Sequence, residues 1–327
     1  MYLAIYLVIM AKIVCKFGGT SLADSKQMKK VRDIVLSSKD RQYVVVSAPG
    51  KRFSDDIKIT DLLYASLEDD DAFDKVVTRF FSLERDLNVN HVASSYLIAN
   101  KDFLRQSKDL MASRGEYCSA MVFSEFIGYN FVDASDIITI NDDGSINDES
   151  YTKIQEVLKN NACYIIPGFY GSTKDGKVKT FSRGGSDITG AIVARGVNAT
   201  LYENWSDVSG VMTANPRIVE NPKIIERLTY DEIETLATYG AEVFHRDAVK
   251  PVRDLIPINI KNTNSPSDKG TIIEKKTSSS YLPLLSLSIK DGKAYVLGGN
   301  KVIYEKEIPS KEDEKRIVNE LYNKYFK

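Results

Sequence analysis

Short apolar runs of strand length alternate along this chain with longer stretches whose apolar residues recur at helical spacing, and that alternation narrows the possible folds. A run at 13–15 is followed by a helical stretch at 28–36, a run at 43–47 and a helical stretch at 60–67. The order returns with a strand at 162–167, a helix at 187–196, a strand at 199–202, a helix at 230–239 and a buried strand at 256–260. Strand and helix in strict alternation predict an α/β fold, a three-layer αβα sandwich around a mostly parallel sheet covered on both faces. Residues 68–114 are charged and helical in period, with Phe73, Val76, Val77, Phe80, Phe81 and Leu83 on one face, and read as a helical insertion or lid. Asn, Ser, Pro, Asp, Lys and Gly accumulate at 263–281 and predict a linker. Beyond it, strands at 283–289, 294–297 and 302–306 and an amphipathic helix at 311–326, with Ile317, Leu321 and Tyr325 on one side, predict a small α+β tail.

Within that frame, three polar constellations follow predicted strands. Lys16-Phe-Gly-Gly-Thr-Ser21 comes directly after the first run, where bare backbone N–H groups and a lysine charge can handle a phosphate. It matches neither the Walker pattern nor the dinucleotide fingerprint, and taken alone it is either a plain turn or an anion site. The second is Ser182-Arg-Gly-Gly-Ser-Asp187, opening a helix, where orphan N–H groups and Arg183 suit a carboxylate or phosphate. Asp187 beside such a site needs a positive partner: the Lys16 ammonium, a Mg2+ ion or a substrate amine. The plainer alternative is that Ser186 and Asp187 cap the helix. The third, 205–217, places Asp207 and Arg217 on a loop after a strand, where open α/β sheets bind ligands, although Ser206-Asp207 reads equally as a cap and Asn215-Pro-Arg217 as a turn. Thr60-Asp61 and Gly115-Glu116 each read as helix openings, and Glu116 suits either capping or a substrate ammonium.

Charge and cysteine content bound the ligands. Lys plus Arg number 44 against 45 Asp plus Glu, a net charge of -1, so nothing draws the chain to nucleic acid or to an anionic membrane, and any polyanion it handles is small. Cys15, Cys118 and Cys163 are odd in number and widely spaced, which argues against a disulfide framework and fits a reducing cytoplasm. His91 and His245 are not spaced as a metal pair, and no metal ligands are assigned. The apolar run at 2–9 is too short to span a bilayer and lacks the flanks of an export signal. A start at Met10 would begin the chain at its first strand.

Taken together, Lys16-Phe-Gly-Gly-Thr-Ser21, Val46-Ser-Ala-Pro49, Thr60-Asp61, Gly115-Glu116, Ser182-Arg-Gly-Gly-Ser-Asp187, Trp205-Ser-Asp-Val-Ser-Gly210, Pro216-Arg217 and the stretch from Asn262-Thr263 to Gly270-Thr271 resemble the aspartokinases of the amino acid kinase family, in the family's order, over residues 12 to about 275. The resemblance implies ATP- and Mg2+-dependent phosphorylation of the side-chain carboxylate of L-aspartate, the entry to lysine, threonine and methionine synthesis, by a cytoplasmic homodimer. It implies an acceptor lobe at 1–190, an ATP lobe at 191–277 and a short tail at 278–327. Lys16 and Asp187 would be the catalytic pair, with Gly18, Gly19 and Ser21 joining Lys16 around the phosphoryl group. Arg183, Glu116, Thr60, Gly184, Gly185 and Ser186 would hold aspartate; Ser206, Asp207, Met212 and Arg217 would hold ATP. The chain departs from the family with Ser206 for a usual threonine, Met212 for a frequent tyrosine and Glu242 for a frequent lysine. Those departures keep two alternatives open, a non-catalytic amino-acid sensor and a kinase with another acceptor. Aspartokinases commonly carry two ACT modules, each βαββαβ, and residues 278–327 resemble a single reduced one that would serve regulation or dimerisation.

Overall fold

The computed structural model describes residues 11–159, 162–182, 184–241, 246–275 and 285–326. Arg183, Glu242, His245, the run at 2–9 and the first two residues of the predicted strand at 283–289 lie outside them. In chain order the elements are β1 (Ile13–Phe17), α1 (Ser25–Leu36), β2 (Tyr43–Val46), α2 (Ile59–Ala65), α3 (Asp70–Leu87), α4 (Val92–Leu104), α5 (Lys108–Ile127), β3 (Asn130–Phe131), α6 (Ala134–Ile137), α7 (Glu149–Val157), β4 (Tyr164–Pro167), β5 (Tyr170–Ser172), β6 (Val178–Thr180) and α8 (Gly185–Gly196). There follow β7 (Leu201–Ser206), β8 (Arg227–Thr229), α9 (Tyr230–Thr238), α10 (Arg246–Val249), β9 (Ile258–Asn262), β10 (Thr271–Glu274), β11 (Leu285–Lys290), β12 (Lys293–Gly298), β13 (Lys301–Glu307) and α11 (Lys311–Phe326).

Eight strands form one sheet in the order β3-β4-β2-β1-β7-β9-β10-β8. The six from β3 to β9 are parallel; β10 pairs antiparallel with β9, and β8 runs with β10. Successive side chains go to opposite faces, and both faces are dry. Val14, Tyr43, Val45 and Ile166 pack beneath α6 to α10, while Cys15, Phe17, Val44, Val46 and Ile165 pack beneath α1 to α5. This is the three-layer αβα sandwich that the alternation predicts. Among the described residues no helix is long and apolar enough to cross a membrane.

The segment at 68–114 is helical as expected, yet it is not a lid. Phe73, Val76, Phe80 and Leu83 are buried in the same core as β1 and β2, so α3 and α4 form a fixed part of that layer. Two helix starts also differ from the sequence reading. Ser107 caps α5 through the N–H of Leu110, and the helix runs on through Gly115 and Glu116, which therefore open nothing. Likewise α2 begins at Ile59 and puts Thr60 in its first turn. Both places lie where α2 and α5 pack together, with Gly115 against Ile59 and Leu63, and that contact keeps a boundary-like residue helical.

The tail is a three-stranded antiparallel sheet, β11-β12-β13, with α11 across it. Its helix buries Ile317, Val318, Leu321 and Tyr322, leaving the expected Tyr325 partly buried at the margin. Ala214 and Val219, from the loop after β7, complete that core. The tail therefore shares its interior with the sandwich.

Candidate active site

Each parallel strand near the middle of the sheet ends at the same edge, and the loops that leave it are tied to one another. The Ser47 N–H donates to the Phe17 carbonyl at 3.1 Å, Gly18 to Trp205 at 3.0 Å, Gly50 to Gly19 at 2.8 Å and Gly168 to Val46 at 2.9 Å. Gly19 is required by this crowding, since a Cβ there would lie 2.9 Å from the Ala48 carbonyl oxygen. The carboxyl edge of a parallel sheet is where such folds bind ligands.

A cavity of about 200 Å³ opens there, lined by Lys16, Ser47, Thr60, Glu116, Phe169, Gly184, Gly185, Ser186 and Asp187. Seven of these were expected from the sequence, from segments scattered between β1 and α8. Ser47 and Phe169 were not assigned a role. Ser47 is the first residue beyond β2 and could have been found by its position at the strand end. Phe169 carries a φ of 77°, a conformation bulky residues rarely adopt, and nothing in the sequence signals it.

The cavity is charged on two sides. Lys16, only 7% exposed, places its ammonium 2.5 Å from Asp187 Oδ1. Of the partners open to Asp187 on sequence grounds, the lysine is the one it meets. Glu116 is 5% exposed, and its Oε2 has no hydrogen-bond partner among the described residues. Burial pushes its carboxyl up to about 8, against the opposing pull of the Ala48 backbone and the Lys16 charge. A buried carboxyl with an unpaired oxygen is a site that a cation would satisfy. Helix α8 begins at Gly185, preceded by an N-cap Gly184 held at φ 60° that offers no side-chain cap. Asp187 and Ser186 lie inside the helix, which rules out the capping alternative and leaves first-turn N–H groups at the cavity wall.

Other expected site residues lie apart from this cavity. Ser21 is 2% exposed and its hydroxyl is 2.7 Å from Thr263 Oγ1, so it braces the loop from within. Gly18 stands beside Lys16, where an added Cβ would be 3.6 Å from Nζ. Ser206 closes β7, and its Oγ accepts the Val208 N–H at 3.3 Å. Asp207 and Arg217 are exposed, and Met212 is half-buried in a bridge to Ile224. None of these four lines the Lys16 cavity. Their loop is held by the Val211 N–H on Thr271 Oγ1 at 2.8 Å, by Leu287 N–H on the Thr213 carbonyl at 2.7 Å, and by Tyr322 at 3.1 Å from Thr213 Oγ1. Cys15 is inert core: burial and the Glu203 carboxylate push its thiol well up.

Residues 11–262 match the amino acid kinase family. Aspartokinase 3 of Bacillus subtilis is 38% identical over 304 residues, which cover 85% of this chain and 67% of that protein. The lysine-sensitive aspartokinase 3 of Escherichia coli is 31% identical over 295 residues, covering 81% and 64%. The crystal structure of Clostridium acetobutylicum aspartate kinase superposes with a TM-score of 0.78 at 44% identity, covering 85% of this chain and 66% of that one. E. coli aspartokinase III, solved in complex with aspartate and ADP, superposes with a TM-score of 0.74 at 28% identity, covering 85% and 67%. The chain thus spans about two thirds of the length of these relatives. With the family matched over most of its length and the aspartokinases matched through both sides of the sheet edge, the chain belongs to the amino acid kinase family, in its aspartokinase branch.

Proposed function

We propose that this chain transfers the γ-phosphoryl group of ATP to the side-chain carboxylate of L-aspartate, giving 4-phospho-L-aspartate. The observation that carries this reading is the cavity in which a buried, half-unpaired Glu116 shares walls with the Lys16–Asp187 pair. Its volume, about 200 Å³, suits one small amino acid and is too small for a nucleotide. Glu116 takes the substrate ammonium, Thr60 and Ser186 add hydrogen bonds, and Arg183 takes the α-carboxylate, as the family resemblance assigns it. An oxygen of the side-chain carboxylate attacks the γ-phosphorus; the new O–P bond forms as the bond to the β,γ-bridging oxygen breaks, and ADP leaves with that electron pair. The nucleophile is already ionised, so no general base is required. Catalysis then rests on positioning and on neutralising charge, roles the family resemblance gives to Lys16 and the backbone at Gly18 and Gly19.

The lobe division follows the same reading: acceptor on residues 1–190, nucleotide on 191–277 through Ser206, Asp207, Met212 and Arg217. Mg2+ would arrive on the ATP phosphates, because that ion keeps most of its waters and needs one or two carboxylates at most. Among the described residues no three His, Cys, Asp or Glu side chains are grouped so as to hold a metal ion, and this mode of binding requires no such group. A cytoplasmic homodimer, with the tail at 278–327 as a regulatory or dimerising module, completes the proposal. Hydroxylamine trapping of the acyl phosphate tests it, with aspartate and glutamate compared in the presence of ATP and Mg2+. Aspartate-dependent hydroxamate is expected. Folded protein that binds aspartate in a calorimeter and forms no hydroxamate would make it a sensor, and a glutamate preference would make it a kinase of another acceptor.

A further inference from the structure

We infer that Asn204 is a positioning residue for the phosphoryl-transfer site: it fixes the Asp187 carboxylate, and through it the Lys16 ammonium, from the sheet side. The inference rests on the proposed transfer reaction for its kinetic consequence and on geometry alone for its structural one. In the parallel pairing of β1 with β7, Lys16 is the register partner of Asn204. Val14 and Tyr202, each two residues earlier, belong to the core beneath α8, so Lys16 and Asn204 emerge on that same face. Helix α8 crosses the face with Asp187 in its first turn.

Asp187 Oδ1 receives two donors there, Lys16 Nζ at 2.5 Å and Asn204 Nδ2 at 2.8 Å. The backbone of the same residue is held as well, because the Tyr202 hydroxyl donates to the Asp187 carbonyl at 3.0 Å. One turn on, Gly190 lets the helix rest on that tyrosine; a Cβ would come 2.5 Å from its hydroxyl. Strand β7 therefore sets the depth of α8 and the direction of its first carboxylate.

This arrangement answers a physical need. A lysine ammonium sits on a flexible four-carbon stem, and pairing it with an equally mobile carboxylate would not localise its charge. Asn204 is 4% exposed, and its amide holds Oδ1 from a strand whose backbone is locked on both sides. Being neutral, it orients the carboxylate without competing for its charge. A buried amide in an apolar layer calls for an explanation, and its hydrogen bond to Asp187 provides one.

The test is Asn204→Leu, similar in volume and without the donor, with Asn204→Ser as the second variant should the first not fold. Trace acetylation of lysines, read at Lys16 by mass spectrometry, needs no turnover. Labelling of Lys16 is expected to rise about fivefold, the factor that one net hydrogen bond of restraint represents. In the hydroxamate assay kcat is expected to fall about tenfold or more with both KM values nearly unchanged, because misplacing a charge acts on the transition state. Wild-type labelling of Lys16 in both folded variants would overturn the inference whatever the activity. Raised labelling in a protein whose wild type makes no phosphoaspartate would keep the positioning role and reject the reaction.

Discussion

On the proposed acceptor side, Lys16 from β1, Glu116 from α5 and Ser186 from α8 are each less than a tenth exposed and meet around one cavity. On the proposed nucleotide side, Asp207 and Arg217 stand in solvent on a loop that crosses from β7 to β8 and is pinned at Thr213 by the tail. Both regions occupy the same carboxyl edge of the sheet. The difference is one of order set in advance: the charges proposed to act on the phosphoryl group are fixed by the packed sandwich, whereas Asp207 and Arg217, proposed for the nucleotide, are exposed on their loop. Fixed charges in a dry site act at full strength in the transition state, and exposed ones contribute mainly to binding.

The largest expected effect tests the fixed side. Lys16→Ala should lower kcat by roughly a thousandfold with little change in aspartate KM, since its charge serves a transition state. A loss confined to KM, measured in the hydroxamate assay, would break the comparison by making Lys16 another binding group. Next, Gly190→Ala places a methyl against Tyr202 and should lift α8 with Asp187. Thermal unfolding is expected to show a loss of about 1–3 kcal/mol from overpacking. A displacement of about 1 Å at the carboxylate would lower kcat on the order of a hundredfold. Unchanged kcat in the folded variant would show that the depth of α8 is not critical.

Glu116 supplies a pH test of the same cavity. Its carboxyl, raised from an ordinary 4.5 to about 8, must ionise to take the substrate ammonium. Aspartate KM should therefore fall as pH rises toward 8, by at most about tenfold per unit, and level off above it. Glu116→Gln should remove the slope. The stability linkage has the opposite sign. The folded chain retains at Glu116 a proton that the unfolded chain releases above 4.5, so this contribution is lost as pH rises through about 8. The glutamine variant should consequently gain in melting temperature relative to wild type at pH 8 and not at pH 4. The smallest effect belongs to the loop: Arg217→Ala should raise ATP KM by about tenfold, a charge-assisted hydrogen bond's worth, and leave aspartate KM alone. Equal changes in both would merge the two regions into one site.

Much of this site is legible in the sequence. Lys16 and Gly18-Gly19 announce themselves by following an apolar run, and Ser186 and Asp187 by opening an apolar helix. Thr60 and Glu116 carried signals too, though for helix ends that the structure places elsewhere. Ser47, Phe169 and Asn204 carried none of functional use. Phe169 owes its place to a backbone conformation, and Asn204 to the residue beside it on another strand. Ser21 is the reverse case: the motif that contains it suggests a phosphate ligand, and its hydroxyl meets Thr263, a contact no local pattern signals.

By itself, the sequence determined the layered α/β plan, because strand and helix periods are local and each apolar face must find cover. It also determined which polar segments lie at strand ends. Tertiary structure alone decided that Lys16 and Asp187 share a bond, that Asn204 holds the second of them, and that Glu116 lies buried with an oxygen unpaired. These facts depend on strand order, register and the depth of α8. All three arise from contacts between residues remote in sequence, which no local pattern encodes.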